Sequence, residues 1–261
     1  MLIVFLGDSI TEGLGVTRTK SSYANLLQTK LENFYSNPVE IINFGASAMQ
    51  INESREKYEN KILDLEPDII VVAHGNTESV VREQKMYLRY LPKRWRKPGW
   101  MDPRPYYSTK NYRRWLEKLE SGIRWRVKVT LINIFGGKQW MSLTEFRQQI
   151  SDFVMTNLNH SAKTKIIILT PGNIEEKYFP GSPESMRMYS QVMKDVYENT
   201  KSSNRVFMCD SSQCLHQWND YFNDRFHPNE IGHDKISETL LDTIIKHSLL
   251  TNNKVMKEVS L

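Results

Sequence analysis

Asp68-Ile69-Ile70-Val71-Val72-Ala73 is an unbroken, mostly β-branched run of strand length, set between Pro67 and His74-Gly75. A strand reads this way when helices cover both faces of its sheet, so that neither side alternates with polar residues. Four more short apolar runs fit the same pattern: Met1–Leu6, Val39–Asn43, Lys165–Leu169 (closed by Thr170-Pro171-Gly172) and Arg205–Met208. Segments of helical period lie between or after them. Ser21–Phe34 puts Tyr23, Leu26, Leu27, Leu31 and Phe34 on one face; Ile51–Leu65, Ser185–Asn199 and Glu230–His247 also read as helices. The alternation predicts an α/β fold with a parallel sheet of about five strands and helices on both faces. Ligands of such sheets collect outside the carboxyl ends of the strands.

A chain of 261 residues, 39% hydrophobic and 25% charged, can bury a substantial core but is short for two full domains. Residues 1–250 are expected to form one domain, with Thr251–Leu261 as a fraying polar tail. The mean hydropathy is −0.53. No apolar run approaches the roughly 18 residues of a spanning helix. Cys209 and Cys214 are too few for a disulfide framework and read as reduced thiols. The apolar start is six residues long, with neither a basic flank nor a small-residue cleavage pattern, so the expected compartment is the cytoplasm.

One stretch breaks the alternation. From Arg82 to Lys128 there are fifteen Lys or Arg against four Asp or Glu, a net of +11, leaving −6 on the rest of a chain whose net is +5. Trp95, Trp100, Trp115 and Trp125 lie here among tyrosines, and Pro92, Pro98, Pro103 and Pro105 interrupt any long helix. Residues 91–134 are therefore read as an insertion or lid between the third and fourth strands. Four uses fit it: a cover packed on the core, a groove for an acidic acylated glycan, contact with an anionic membrane surface, and nucleic-acid binding, in that order. No recognised nucleic-acid module supports the last, and no clear amphipathic stripe supports the third.

Two local patterns carry chemistry. Gly7-Asp8-Ser9-Ile10-Thr11 places a serine just beyond the first strand, either as a nucleophile or as an ordinary helix cap. Asp224-Arg225-Phe226-His227-Pro228-Asn229 spaces a carboxylate and an imidazole three residues apart. That spacing lets Asp224 fix the tautomer of His227; alternatively Asp224 pairs with Arg225 on the surface. His160, His216, His233 and His247 have no motif around them and read as surface or internally satisfied residues.

Together with two further blocks, these patterns resemble the SGNH (GDSL-type) hydrolases. Gly7–Thr11 matches the nucleophile block, and Asn43-Phe44-Gly45-Ala46 matches the second. His74-Gly75-Asn76 resembles the third, and Asp224–Asn229 with Gly232 matches the last. The third block departs from the family's G-x-N-D, with His74 at the glycine position and Thr77 at the aspartate position. The resemblance implies a three-layer α/β/α sandwich of flavodoxin-like topology. It also implies a catalytic set of Ser9, Asp224 and His227 and an oxyanion hole from Ser9, Gly45 and Asn76. No metal or organic cofactor is implied. Asp8, His74, Trp95 and Trp100 are further candidates for substrate contact.

The implied activity is a serine esterase that removes a short acyl group from a carbohydrate or other small acylated molecule. An acyltransferase using the same residues on a sugar acceptor, and a non-catalytic glycan-binding protein, are the alternatives. The expected partner is a small-molecule or glycan ester. A nucleic acid is not expected, and peripheral membrane contact is the other partner the basic stretch allows.

Overall fold

The computed structural model describes residues 1–16, 21–35, 38–96, 110–216 and 219–249. The expected tail and Trp100 lie outside them. The chain runs β1 (Leu2–Gly7), α1 (Ser9–Glu12), α2 (Tyr23–Phe34), β2 (Glu40–Asn43), α3 (Ile51–Leu65), β3 (Ile69–Ala73) and α4 (Asn76–Ser79). It continues through β4 (Arg82–Glu83), α5 (Lys85–Leu88), α6 (Asn111–Phe135), β5 (Gly137–Lys138) and α7 (Leu143–His160). The last elements are β6 (Lys165–Leu169), α8 (Ser182–Thr200), β7 (Val206–Cys209) and α9 (Glu230–Lys246).

Five strands form one parallel sheet in the order β2-β1-β3-β6-β7. This is the flavodoxin-like order, with the switch point between β1 and β3. Alternate side chains of each strand point to opposite faces. Ile3, Phe5, Ile69, Val71 and Ile167 enter a core with α2 and α9, whereas Val4, Leu6, Ile70, Val72 and Ile166 enter another with α3, α7 and α8. The β-branched runs thus fill both faces, which is why their positions were legible.

The stretch after β3 differs from its sequence reading in three ways. It leaves and re-enters on a two-residue antiparallel ribbon, with Arg82 opposite Lys138 and Glu83 opposite Gly137. Past Pro105 the chain forms α6, a helix of 25 residues, because the prolines all precede it. Then α7, absent from the sequence reading, buries Phe146, Ile150, Phe153, Val154 and Leu158 against the sheet.

Buried charge seats this excursion. Lys128 Nζ lies 2.7 Å from Glu83 Oε1, and neither side chain is exposed. Trp125 donates its indole N–H to the carbonyl of Tyr178 at 2.9 Å. Val129 packs beside Trp125, and Ile132 is buried with Val80 and Phe179. Trp125 packs on the core, whereas Trp115 is 62% exposed.

Candidate active site

Parallel register carries the motif residues to one rim. Gly7 is aligned with Ala73 on β3, so the segments following β1 and β3 emerge side by side. Asp8 then caps α1: its Oδ1 accepts the N–H of Ile10 at 3.0 Å. Its Oδ2 faces the other segment and accepts the N–H and the hydroxyl of Thr77, each at 3.3 Å. Ser9 is the first residue of α1, and Asn76 the first of α4.

The loop before α9 closes over this rim as a hairpin. Phe222 N–H donates to the His227 carbonyl at 2.7 Å, and Asn229 N–H donates to the Asp220 carbonyl at 2.8 Å. Asn229 then caps α9 through Ile231 and Gly232. Gly15, at φ 104°, allows the approach: a Cβ there would stand 2.0 Å from the Pro228 carbonyl oxygen.

Ser9, His227 and Asp224 make one hydrogen-bonded chain. Ser9 Oγ lies 2.8 Å from His227 Nε2, and His227 Nδ1 lies 2.6 Å from Asp224 Oδ2. The other carboxylate oxygen of Asp224 accepts the N–H groups of Phe226 and His227, both at 3.0 Å. Asp224 therefore pairs with His227 rather than standing with Arg225 on the surface. All three side chains are buried, and the Phe226 ring meets the imidazole edge-on at 5.0 Å. A cavity of about 20 Å³, room for one water-sized group, has Ile10, Asn76, Ile174, Met186, Phe226 and Pro228 in its wall.

Gly45 packs on the start of this site. A Cβ there would come within 2.4 Å of the Glu12 backbone nitrogen. Its N–H, expected to face an oxyanion, donates to Asn43 Oδ1 at 2.8 Å, while Asn43 Nδ2 donates to the Thr11 carbonyl at 2.7 Å. A developing oxyanion would have to share the Gly45 N–H with that turn.

Three candidate substrate contacts have their polar groups engaged within the protein. Asp8 and His74 are fully buried. Asp8 is consumed by the cap and by Thr77, and His74 Nδ1 lies 3.2 Å from Glu78 Oε1. Trp95 belongs to another place: its indole N–H donates to Glu120 at 2.7 Å, and it lines a groove of about 490 Å³ with Arg113, Leu116 and Ile123. That groove shares no lining residue with the cavity walled by Ile10 and Asn76.

Glu78, which sequence reading missed, organises the third block. Its carboxylate accepts the N–H of Gly75 at 2.8 Å and that of Ile51 at 2.7 Å. Burial favours the neutral acid, but the pull of His74 and the N–H from Gly75 hold Glu78 below the ordinary carboxylate range. Burial, with Glu78 nearby, pushes Asp8 the other way, above it. Arg82 completes the support. It donates to the carbonyls of Thr77 and Val80 at 2.7 and 2.9 Å and stacks 3.8 Å over Trp140, with burial lowering its pKa to about 10. The displaced acid one residue beyond Thr77 was the available signal.

The parallel five-stranded sheet of this α/β/α architecture thus brings a serine, a histidine and an aspartate together at its carboxyl rim. The profile of the GDSL-like lipase/acylhydrolase family matches residues 5–235, and the chain belongs to that family. By class it is a carboxylic ester hydrolase. Solved structures share the fold along nearly the whole chain. A lipase/acylhydrolase from Enterococcus faecalis has a TM-score of 0.60 at 13% identity, covering 97% of this chain and 99% of its own. An α/β hydrolase from the metagenome of Lake Arreo gives 0.59 at 18% identity, covering 96% of each. A family 3 carbohydrate esterase from Clostridium thermocellum gives 0.58 at 16%, covering 94% of this chain and 96% of its own. No curated protein matches the sequence.

Proposed function

We propose that the protein is a serine esterase that removes a short acyl group from a carbohydrate or another small acylated substrate. The observation that carries this reading is the continuous chain from Ser9 Oγ through His227 to Asp224, at 2.8 and 2.6 Å. In it, His227 Nε2 takes the Ser9 proton as Oγ bonds to the ester carbonyl carbon. Asp224 holds the ring with Nδ1–H toward itself and stabilises the imidazolium. The tetrahedral oxyanion is received by the Ser9 N–H and the Asn76 side chain, with the Gly45 N–H shared from its turn. Collapse breaks the bond to the alcohol, which leaves with the proton from His227. Water, deprotonated by the same nitrogen, then attacks the acyl-serine and frees the acid.

Two observations favour a short acyl group on a sugar. The cavity walled by Ile10, Asn76, Phe226 and Pro228, chain neighbours of the motif residues, is small, about 20 Å³. A carbohydrate esterase and acetylxylan esterases are among the structures with this fold. The test is hydrolysis of p-nitrophenyl esters of graded length beside acetylated sugars. Acetate is expected to turn over at least about tenfold better than octanoate, the scale on which a few methylenes discriminate. Ser9→Ala should lose roughly a thousand-fold or more. Undiminished turnover in Ser9→Ala would overturn the mechanism; a preference for octanoate would overturn the acyl assignment alone.

A further inference from the structure

We propose that the outer face of α6 docks the protein on an anionic lipid bilayer. The helix uses one face to sit on the protein: Ser121, Lys128 and Ile132 are buried, with Trp125 and Val129 beside them. At 100° per residue, Tyr112, Trp115, Leu116, Leu119 and Ile123 gather on the opposite side. There they are 48–62% exposed. A helical face that turns large apolar side chains away from its own core marks a contact surface. It is the stripe that sequence reading did not detect, because the chain also carries apolar residues on the inward face.

The charge around the stripe selects the occupant. Between residues 84 and 128, nine described Lys and Arg side chains, from Lys85 to Arg126, are exposed. Among the described residues of that stretch no Asp or Glu is; Glu117 and Glu120 are partly covered. A second copy would bring the same positive field against this one, and a purely polar acidic polymer would leave the leucines and tryptophan in water. An anionic bilayer satisfies both features. Its headgroups attract the basic rim, at about fivefold in partitioning for each residue near the surface, while Trp and Leu enter the acyl boundary. Tyr112 to Ile123 spans about 17 Å of helix, long enough to lie flat in that interface. No described helix is long and apolar enough to cross a membrane, so the contact is peripheral. This inference is independent of the esterase reading.

Co-sedimentation of the full chain with vesicles tests it, comparing pure phosphatidylcholine with phosphatidylcholine containing roughly a third phosphatidylglycerol. Binding to the anionic vesicles should be at least about tenfold tighter, and should weaken between about 0.1 M and 0.5 M salt. The pair Trp115→Gln with Leu119→Gln keeps good helix formers and should lose tenfold or more in vesicle binding. Arg113→Gln with Arg114→Gln should lose a comparable amount. An unchanged far-ultraviolet circular dichroism spectrum and thermal midpoint certify that each variant is folded. Equal or absent binding to both vesicles overturns the proposal. So does wild-type binding by the Trp115/Leu119 pair, and so does a stable dimer that the same pair dissociates.

Discussion

Thr77 donates both its backbone N–H and its hydroxyl to one oxygen of Asp8, each at 3.3 Å. Asp8 immediately precedes Ser9, and Thr77 immediately follows Asn76. The segment that carries Ser9, the proposed nucleophile, is therefore tied to the one that carries Asn76, the proposed amide donor, by two bonds between residues 69 apart in the chain.

Thr77→Val removes the hydroxyl donor while keeping the volume of the side chain. We expect kcat on p-nitrophenyl acetate to fall about tenfold with KM little changed, since only the alignment of donor and nucleophile is loosened. Stability should drop by about 1 kcal/mol, the usual net worth of one hydrogen bond. Thr77→Ser restores the donor and should restore kcat. An unchanged kcat in Thr77→Val would show that the hydroxyl bond to Asp8 does not matter.

His233 predicts a limb in the pH dependence of stability. It is fully buried, its Nδ1 accepts the Tyr23 N–H at 3.1 Å, and its Nε2 lies 3.2 Å from the Leu14 carbonyl. Burial lowers its pKa from 6.5 to about 4. Between those values the unfolded chain binds the proton and the folded one does not. Its contribution is thus complete above about pH 6.5 and is lost as the pH falls toward 4, amounting to about 3 kcal/mol. His233→Gln should flatten this limb in urea titrations across that range. An unchanged slope would place the loss elsewhere.

The pair Lys128–Glu83, 2.7 Å apart and wholly enclosed, predicts strong non-additivity. Lys128→Met alone should cost about 3–5 kcal/mol, because the Glu83 charge is stranded, and Glu83→Gln should cost a similar amount. Replacing both by Met should recover most of that loss in chemical denaturation. Additive losses would mean that the two residues act through separate contacts.

The sheet was legible because β-branched runs such as Ile69–Ala73 and Lys165–Leu169 carry their burial in their composition. Ile51–Leu65 was legible from its period alone, and so was the family, from four blocks. What stayed hidden depended on direction or on distant partners. Lys128 looks like any other lysine of a basic stretch until Glu83 is seen across from it. His74 and Asp8 neighbour the motif residues, which suggested contact with a ligand, yet Glu78 and Thr77 turn them inward. The helix Leu143–His160 has a regular apolar period, but it follows directly on the stretch read as an insertion.

The hydrogen bond from Ser9 to His227 spans 218 positions. The hydroxyl sits at the rim after β1, and the imidazole reaches it only when the segment before α9 packs across that rim. On the proposed mechanism, loosening that one segment would silence the site while the sheet beneath it stayed intact.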